Sequence, residues 1–224
     1  MRKFIWLMLA ASLLLSAAHF ASAGIIIGGT RVLYQGNKKE ASLSVRNPDN
    51  ITYLIQSWVD RDNADTKAKF IITPPLFRLD AGQQNVMRIV SIAALPQDKE
   101  SLFWLNIKTI PSAAPKENTL QIAVKTRMKL IYRPDSLVGN MPEDQVEKLQ
   151  WSRTGNTLQV INPTAYYMHF NEISLNGKTV GEAGFVAPGG SEKFTLPPDA
   201  TGRALTFKVI NDYGGVGSAH HASL

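Results

Sequence analysis

Leu120-Gln121-Ile122-Ala123-Val124-Lys125-Thr126-Arg127-Met128-Lys129-Leu130-Ile131-Tyr132-Arg133 decides the fold. Leu120, Ile122, Val124, Met128, Leu130 and Tyr132 fall on alternate positions, and only Thr126 breaks that phase. The other phase carries Gln121, Ala123, Lys125, Arg127, Lys129 and Ile131. Successive side chains of a β-strand point to opposite faces, so a period of two is its mark. The pattern predicts one strand over Leu120–Tyr132 of about 13 residues, where 5–6 is usual. Arg133-Pro134-Asp135 through Met141-Pro142 follows, polar and broken by two prolines and Gly139. That composition reads as a linker, so the strand closes a module. The last strand of a seven-strand immunoglobulin sandwich lies at a sheet edge. Proteins normally blunt a long apolar edge that lacks proline. The apolar row is therefore either core, covered by its own module, or a surface kept open for docking.

Upstream of that strand the texture is also β. Ala41–Asn47, Tyr53–Val59, Phe70–Thr73, Asn85–Val90 and Leu102–Ile110 are alternating or rich in branched and aromatic residues. Gly36-Asn37, Asn47-Pro48-Asp49-Asn50, Asp80-Ala81-Gly82 and Pro111 separate them. Asn50-Ile51-Thr52 has the form of a glycosylation sequon and is read as a turn. Downstream, Pro142–Leu149 predicts one or two helical turns with Val146 and Leu149 inward. Strands resume at Thr157–Ile161, Tyr166–Leu175, Lys193–Leu196 and Leu205–Ile210, with a hairpin signal at Asn176-Gly177. The fold class predicted is all-β, two sandwiches in series: 24–140, then 141–224.

Residues 1–23 read as a signal peptide. Arg2 and Lys3 precede an apolar run from Phe4 to Ala18, and Ala21-Ser22-Ala23 offers a small-residue cleavage site. The run is short for a membrane span of roughly 20 residues, so the protein is expected to be exported and not membrane-inserted. Without Arg2 and Lys3 the charge balance is 22 basic to 18 acidic residues, net +4, which gives no call for nucleic acid. There is no cysteine, so thiol catalysis, cysteine–metal sites and disulfides are excluded.

Enzyme templates find no match. G-x-G-x-x-G, the P-loop, H-E-x-x-H and G-x-S-x-G are absent. His169 sits in a tyrosine-rich strand and reads as packed or surface. His220 and His221 fall in a tail expected to be disordered and lack a third ligand nearby. No enzyme activity, cofactor or metal is expected. Two cations stand out instead. Arg31 follows Gly28-Gly29-Thr30 and precedes Val32-Leu33-Tyr34, and Lys129 sits between Met128 and Leu130. Cations so placed either snorkel to water or are held for a purpose. Converging, they would make a carboxylate site.

Leu95-Pro96-Gln97-Asp98-Lys99-Glu100-Ser101-Leu102-Phe103-Trp104-Leu105-Asn106-Ile107-Lys108-Thr109-Ile110-Pro111 is where a family becomes recognisable. The chain resembles the periplasmic pilus chaperones of the chaperone–usher pathway. Thr30–Tyr34, Thr73-Pro74-Pro75, Leu120–Pro134, Asn162-Pro163-Thr164 and Asn211-Asp212-Tyr213-Gly214-Gly215 match as well. The short loop Pro111–Thr119 resembles the short-loop subgroup. The resemblance implies an L-shaped pair of immunoglobulin-like domains that holds a pilin in its cleft. The chaperone's last strand replaces one the pilin lacks. It implies that Leu120, Ile122 and Val124 enter the pilin core, with Met128, Leu130 and Tyr132 left as the chaperone's own. It implies that Arg31 and Lys129 grip the pilin's C-terminal carboxylate, fixing a register that a two-residue slip would otherwise leave open. Glu100, Arg133 and Asp212 match an interdomain ion network. Partners implied are pilus subunits and an outer-membrane usher, in the periplasm. A homodimer in which free chains cap each other's edge is left open. Many relatives carry a disulfide near the C-terminus, which this chain cannot form. Two rivals remain. A fibre subunit should have one domain with an N-terminal donor peptide. A lectin or carbohydrate-active enzyme should expose aromatics or cluster carboxylates, yet Trp58, Trp104 and Trp151 lie in strand-like or core contexts.

Overall fold

The computed structural model describes residues 24–60, 68–112 and 120–224. The predicted signal peptide and most of the loop Pro111–Thr119 lie outside them. Nine strands precede the linker: β1 (Ile26–Ile27), β2 (Arg31–Gln35), β3 (Ala41–Arg46), β4 (Tyr53–Asp60), β5 (Phe70–Thr73), β6 (Leu76–Leu79), β7 (Gln84–Ser91), β8 (Ser101–Pro111) and β9 (Val124–Arg133). Eight follow it: β10 (Gln150–Thr154), β11 (Thr157–Ile161), β12 (Met168–Leu175), β13 (Lys178–Thr179), β14 (Phe185–Val186), β15 (Ser191–Thr195), β16 (Ala204–Ile210) and β17 (Val216–Ser223).

The first nine make two sheets, ordered β1-β3-β7-β5 and β2-β9-β8-β4-β6. Val45, Ile55, Ile89, Leu105, Ile107 and Leu130 are wholly buried between them, each supplied by the inward phase of its strand. The later strands make β10-β11-β15 and a sheet led by β13-β12-β16-β17, around Leu158, Met168, Ile173 and Leu205. The two hydrophobic cores are separate, so each module buries its own apolar surface. A 3₁₀ segment over Pro142–Lys148 follows the linker and buries Val146, with Leu149 buried behind it, as predicted.

Two wholly buried asparagines do the same work in the two modules. Asn47 donates to the Ile51, Leu79 and Asp80 carbonyls, and its own carbonyl accepts the Asp49 N–H. Asn162 donates to the Tyr166 and Ala187 carbonyls and accepts the Thr164 N–H. A buried amide must satisfy both its ends, and here it staples the turn to the facing sheet.

Three expectations are corrected. The long strand begins at Val124, not Leu120. Its antiparallel ladder with β8 ends at Thr109↔Val124, and Ile122 would next have to face Pro111, which has no N–H to give. β9 is also not an edge along its whole length, because β2 pairs with it in parallel from Arg31↔Lys129 to Gln35↔Arg133. Finally, His220 and His221 lie in β17 and not in a disordered tail. β17 pairs with β16 across its length, His220 stands 5.5 Å from the Phe207 ring, and the Arg203 guanidinium donates to the Leu224 carbonyl.

Candidate docking edge and cation pair

β9 divides at Met128. Behind it Leu130, Ile131, Tyr132 and Arg133 are buried between β8 and β2. Ahead of it β2 has ended, and among the described residues no strand pairs on that side. The apolar alternation of the sequence nevertheless continues. Val124 is 52% exposed, Ile122 63% and Leu120 83%. The apolar alternation thus continues past the start of β9 with its side chains exposed. Burying each against an apolar partner would release about 2 kcal/mol.

The parallel register places Arg31 directly opposite Lys129 at the point where the cover ends. The sequence could not show this convergence, because parallel pairing joins residues almost a hundred positions apart. Burial first, and then the neighbouring Arg31 charge, lower the Lys129 ammonium to about 8. Burial also lowers Arg31, against a smaller upward pull from Asp212. Neither cation forms an ion pair among the described residues, and Arg31 Nε is buried without a hydrogen-bond partner. Two like charges held together in a half-buried place favour an anion between them.

The second module closes over this pair with Phe185 and His169, which the sequence did not connect with the two cations. The Lys129 ammonium lies 4.8 Å from the Phe185 ring. Phe185 stands 5.4 Å from His169, which stacks on Tyr167 at 6.1 Å. His169 is buried, so it is packed and not on the surface. Burial, then the charges of Lys129 and Arg31, push it down to about 2 and keep it neutral. Its Nε2 has no partner among the described residues.

The ion network assembles around Arg133 at the end of β9. Arg133 Nε donates to Glu100 Oε1 at 2.7 Å, and its terminal nitrogens donate to both oxygens of Asp212, each at 2.7 Å. Glu100 Oε2 accepts the Tyr167 N–H at 2.7 Å, and the Glu100 N–H donates to the Ala165 carbonyl. Burial alone would lower the Arg133 pKa, but the hydrogen bonds and charges of Asp212 and Glu100 outweigh it and raise it. Glu100 and Arg133 belong to the first module, Asp212 and Tyr167 to the second. The network thus crosses the junction with its polar atoms satisfied, the condition for burying charge.

Trp58 and Trp104 are neither core nor open platforms. They lie on the outward face of β4 and β8, with Lys125 5.2 Å above the first ring and Arg127 4.2 Å above the second. Such capping removes the bare aromatic face a sugar would stack on. Among the described residues no group of three or more histidines and carboxylates could hold a metal, and no helix is long and apolar enough to cross a membrane.

The family described as "Pili and flagellar-assembly chaperone, PapD N-terminal domain" matches residues 24–138, and "Pili assembly chaperone PapD, C-terminal domain" matches 144–221. The fimbrial chaperone FimC of Escherichia coli K12 is 46% identical over 201 residues, covering 87% of this chain and 82% of that protein. The probable fimbrial chaperone LpfB of Escherichia coli O157:H7 is 44% identical over 220 residues, covering 96% and 94%. Among solved structures, the complex of the Salmonella enterica SafA pilin with the SafB chaperone matches with a TM-score of 0.83 at 35% identity. That match covers 92% of this chain and 99% of the matched one.

Proposed function

Because this chain belongs to the pilus-assembly chaperone family, we propose that it holds unassembled pilus subunits by lending them the Leu120–Val124 row, and delivers them to an outer-membrane usher. The observation that carries the reading is the row itself: three exposed apolar side chains at alternate positions, leading into β9 where β2 leaves its edge uncovered. A pilin with an incomplete sandwich offers the missing partner. Its backbone would pair along β9, and its core would take Leu120, Ile122 and Val124. Arg31 and Lys129, at the end of that edge, would take the guest's terminal carboxylate. Charge-assisted bonds there would set the register, since a two-residue slip would break them while leaving the apolar row satisfied. The Glu100–Arg133–Asp212 network would hold the angle between the module of 24–140, which takes the guest, and that of 141–224.

The reading needs no catalysis, because binding energy alone stores the guest. It places the protein in the periplasm, exported by a cleaved signal peptide. In the free state the same exposed row favours a second copy as a temporary cap. The test is capture: Arg31→Ala and Lys129→Ala should abolish recovery of a pilin from the periplasm while the chaperone stays folded. Normal recovery with either variant would refute the anchor.

A further inference from the structure

We propose that the turn Asn211–Gly215 of the second module is a positioning element for Arg31, and that Gly214 is the residue that allows it to close on the first module. The proposal rests on the carboxylate-anchor reading above and adds to it the part that presents the arginine.

The turn joins β16 to β17 and is held from within. The Asn211 N–H donates to the Gly215 carbonyl and the Gly214 N–H to the Asn211 carbonyl. The Asn211 side-chain oxygen accepts the Tyr213 and Gly215 N–H groups at 3.1 and 2.9 Å. Its side chains play unequal parts. Tyr213 points away and is 86% exposed. Asp212 reaches across the junction to Arg133.

Gly214 has φ +84°, a backbone region that side-chain-bearing residues rarely adopt. It also lies against the first module. A Cβ there would overlap the Thr30 hydroxyl, stand 3.4 Å from the Thr30 Cβ and stand 3.9 Å from Arg31 Nε. The turn therefore walls the Nε side of the Arg31 guanidinium, and that nitrogen is shut from solvent with no hydrogen-bond partner among the described residues. The same turn brings the negative charge of Asp212 to bear on Arg31. One five-residue loop thus ties Arg133, and through it the junction, to the placement of the anchoring cation.

The test uses the full exported chain and a synthetic strand peptide of alternating valine and threonine, in two forms, with a free C-terminal carboxylate and with the C-terminal amide. Wild type should prefer the free acid, and Arg31→Ala should lose that preference. Gly214→Ala should lose about tenfold of the free-acid preference while binding the amide as wild type does, because the edge is untouched. The double variant Thr30→Ala/Gly214→Ala removes the hydroxyl that the new methyl group would strike, though not the strain of alanine at this φ, and should regain part of the preference. It also serves if Gly214→Ala alone does not fold. A folded Gly214→Ala that keeps the full preference overturns the proposal, as does a folded double variant with no more preference than Arg31→Ala. An Arg31→Ala that keeps the preference, or a wild type without one, overturns instead the anchor reading beneath it.

Discussion

The run Leu120–Arg133 carries one alternation, yet its two ends meet opposite fates. From Met128 to Tyr132 the inward side chains lie in the first module's own core, and β2 seals the second edge. From Val124 back to Leu120 the apolar alternation runs on past the start of β9 without burial against the described residues, and the exposure climbs from 52% at Val124 to 83% at Leu120. What separates them is the length of β2, which starts at Arg31 and so leaves off at Lys129. The difference teaches that an exposed apolar row is not a defect of folding here. The covered half supplies the stability, so the bare half can stay exposed. The two cations stand at the boundary between them.

Substitutions can break that comparison. Leu130→Ala in the covered half should cost about 3 kcal/mol of unfolding free energy, because it opens a cavity in a wholly buried site. Denaturant unfolding measures it, and a loss within about 0.5 kcal/mol would mean that the covered half is not core. Ile122→Asp in the bare half should leave that midpoint nearly unchanged. It should weaken pilin binding roughly a hundredfold, since a charge would have to enter the guest's apolar groove. Equal stability losses at the two positions would dissolve the distinction.

The smallest effect sharpens the boundary instead. Lys129 is held near 8 in the folded chain, whereas an unfolded lysine titrates near 10.4. Between those values the unfolded chain binds the extra proton, so Lys129 makes the free protein more stable as pH rises through that window. Carboxylate binding should run the other way. Raising the pH from 7 to 9 discharges Lys129 and should weaken a free-acid guest about tenfold, while its amide is unaffected. Calorimetry on the two forms checks this. A pH-independent difference between acid and amide would remove Lys129 from the anchor.

By itself the sequence determined the all-β class, the alternation that makes Leu120, Ile122 and Val124 one row, and the two cations embedded in apolar strands. Each is a local property, carried by the period of two and by residue type, and each is legible without knowing what lies beside it. The strand starts later than its period predicts because Leu120–Ala123 has the same period as β9, while the limit is set by Pro111 on the neighbouring strand. The tail is ordered against expectation because β16 recruits Ala219-His220-His221-Ala222, which has no strand signal of its own. Only the tertiary structure decided where β2 stops, that Arg31 and Lys129 stand side by side, that Phe185 and His169 close over them, and that Gly214 reaches Thr30. Those are pairings across dozens of residues, chosen by register and by the shape of two finished cores, and no local pattern encodes which strand will arrive next to which.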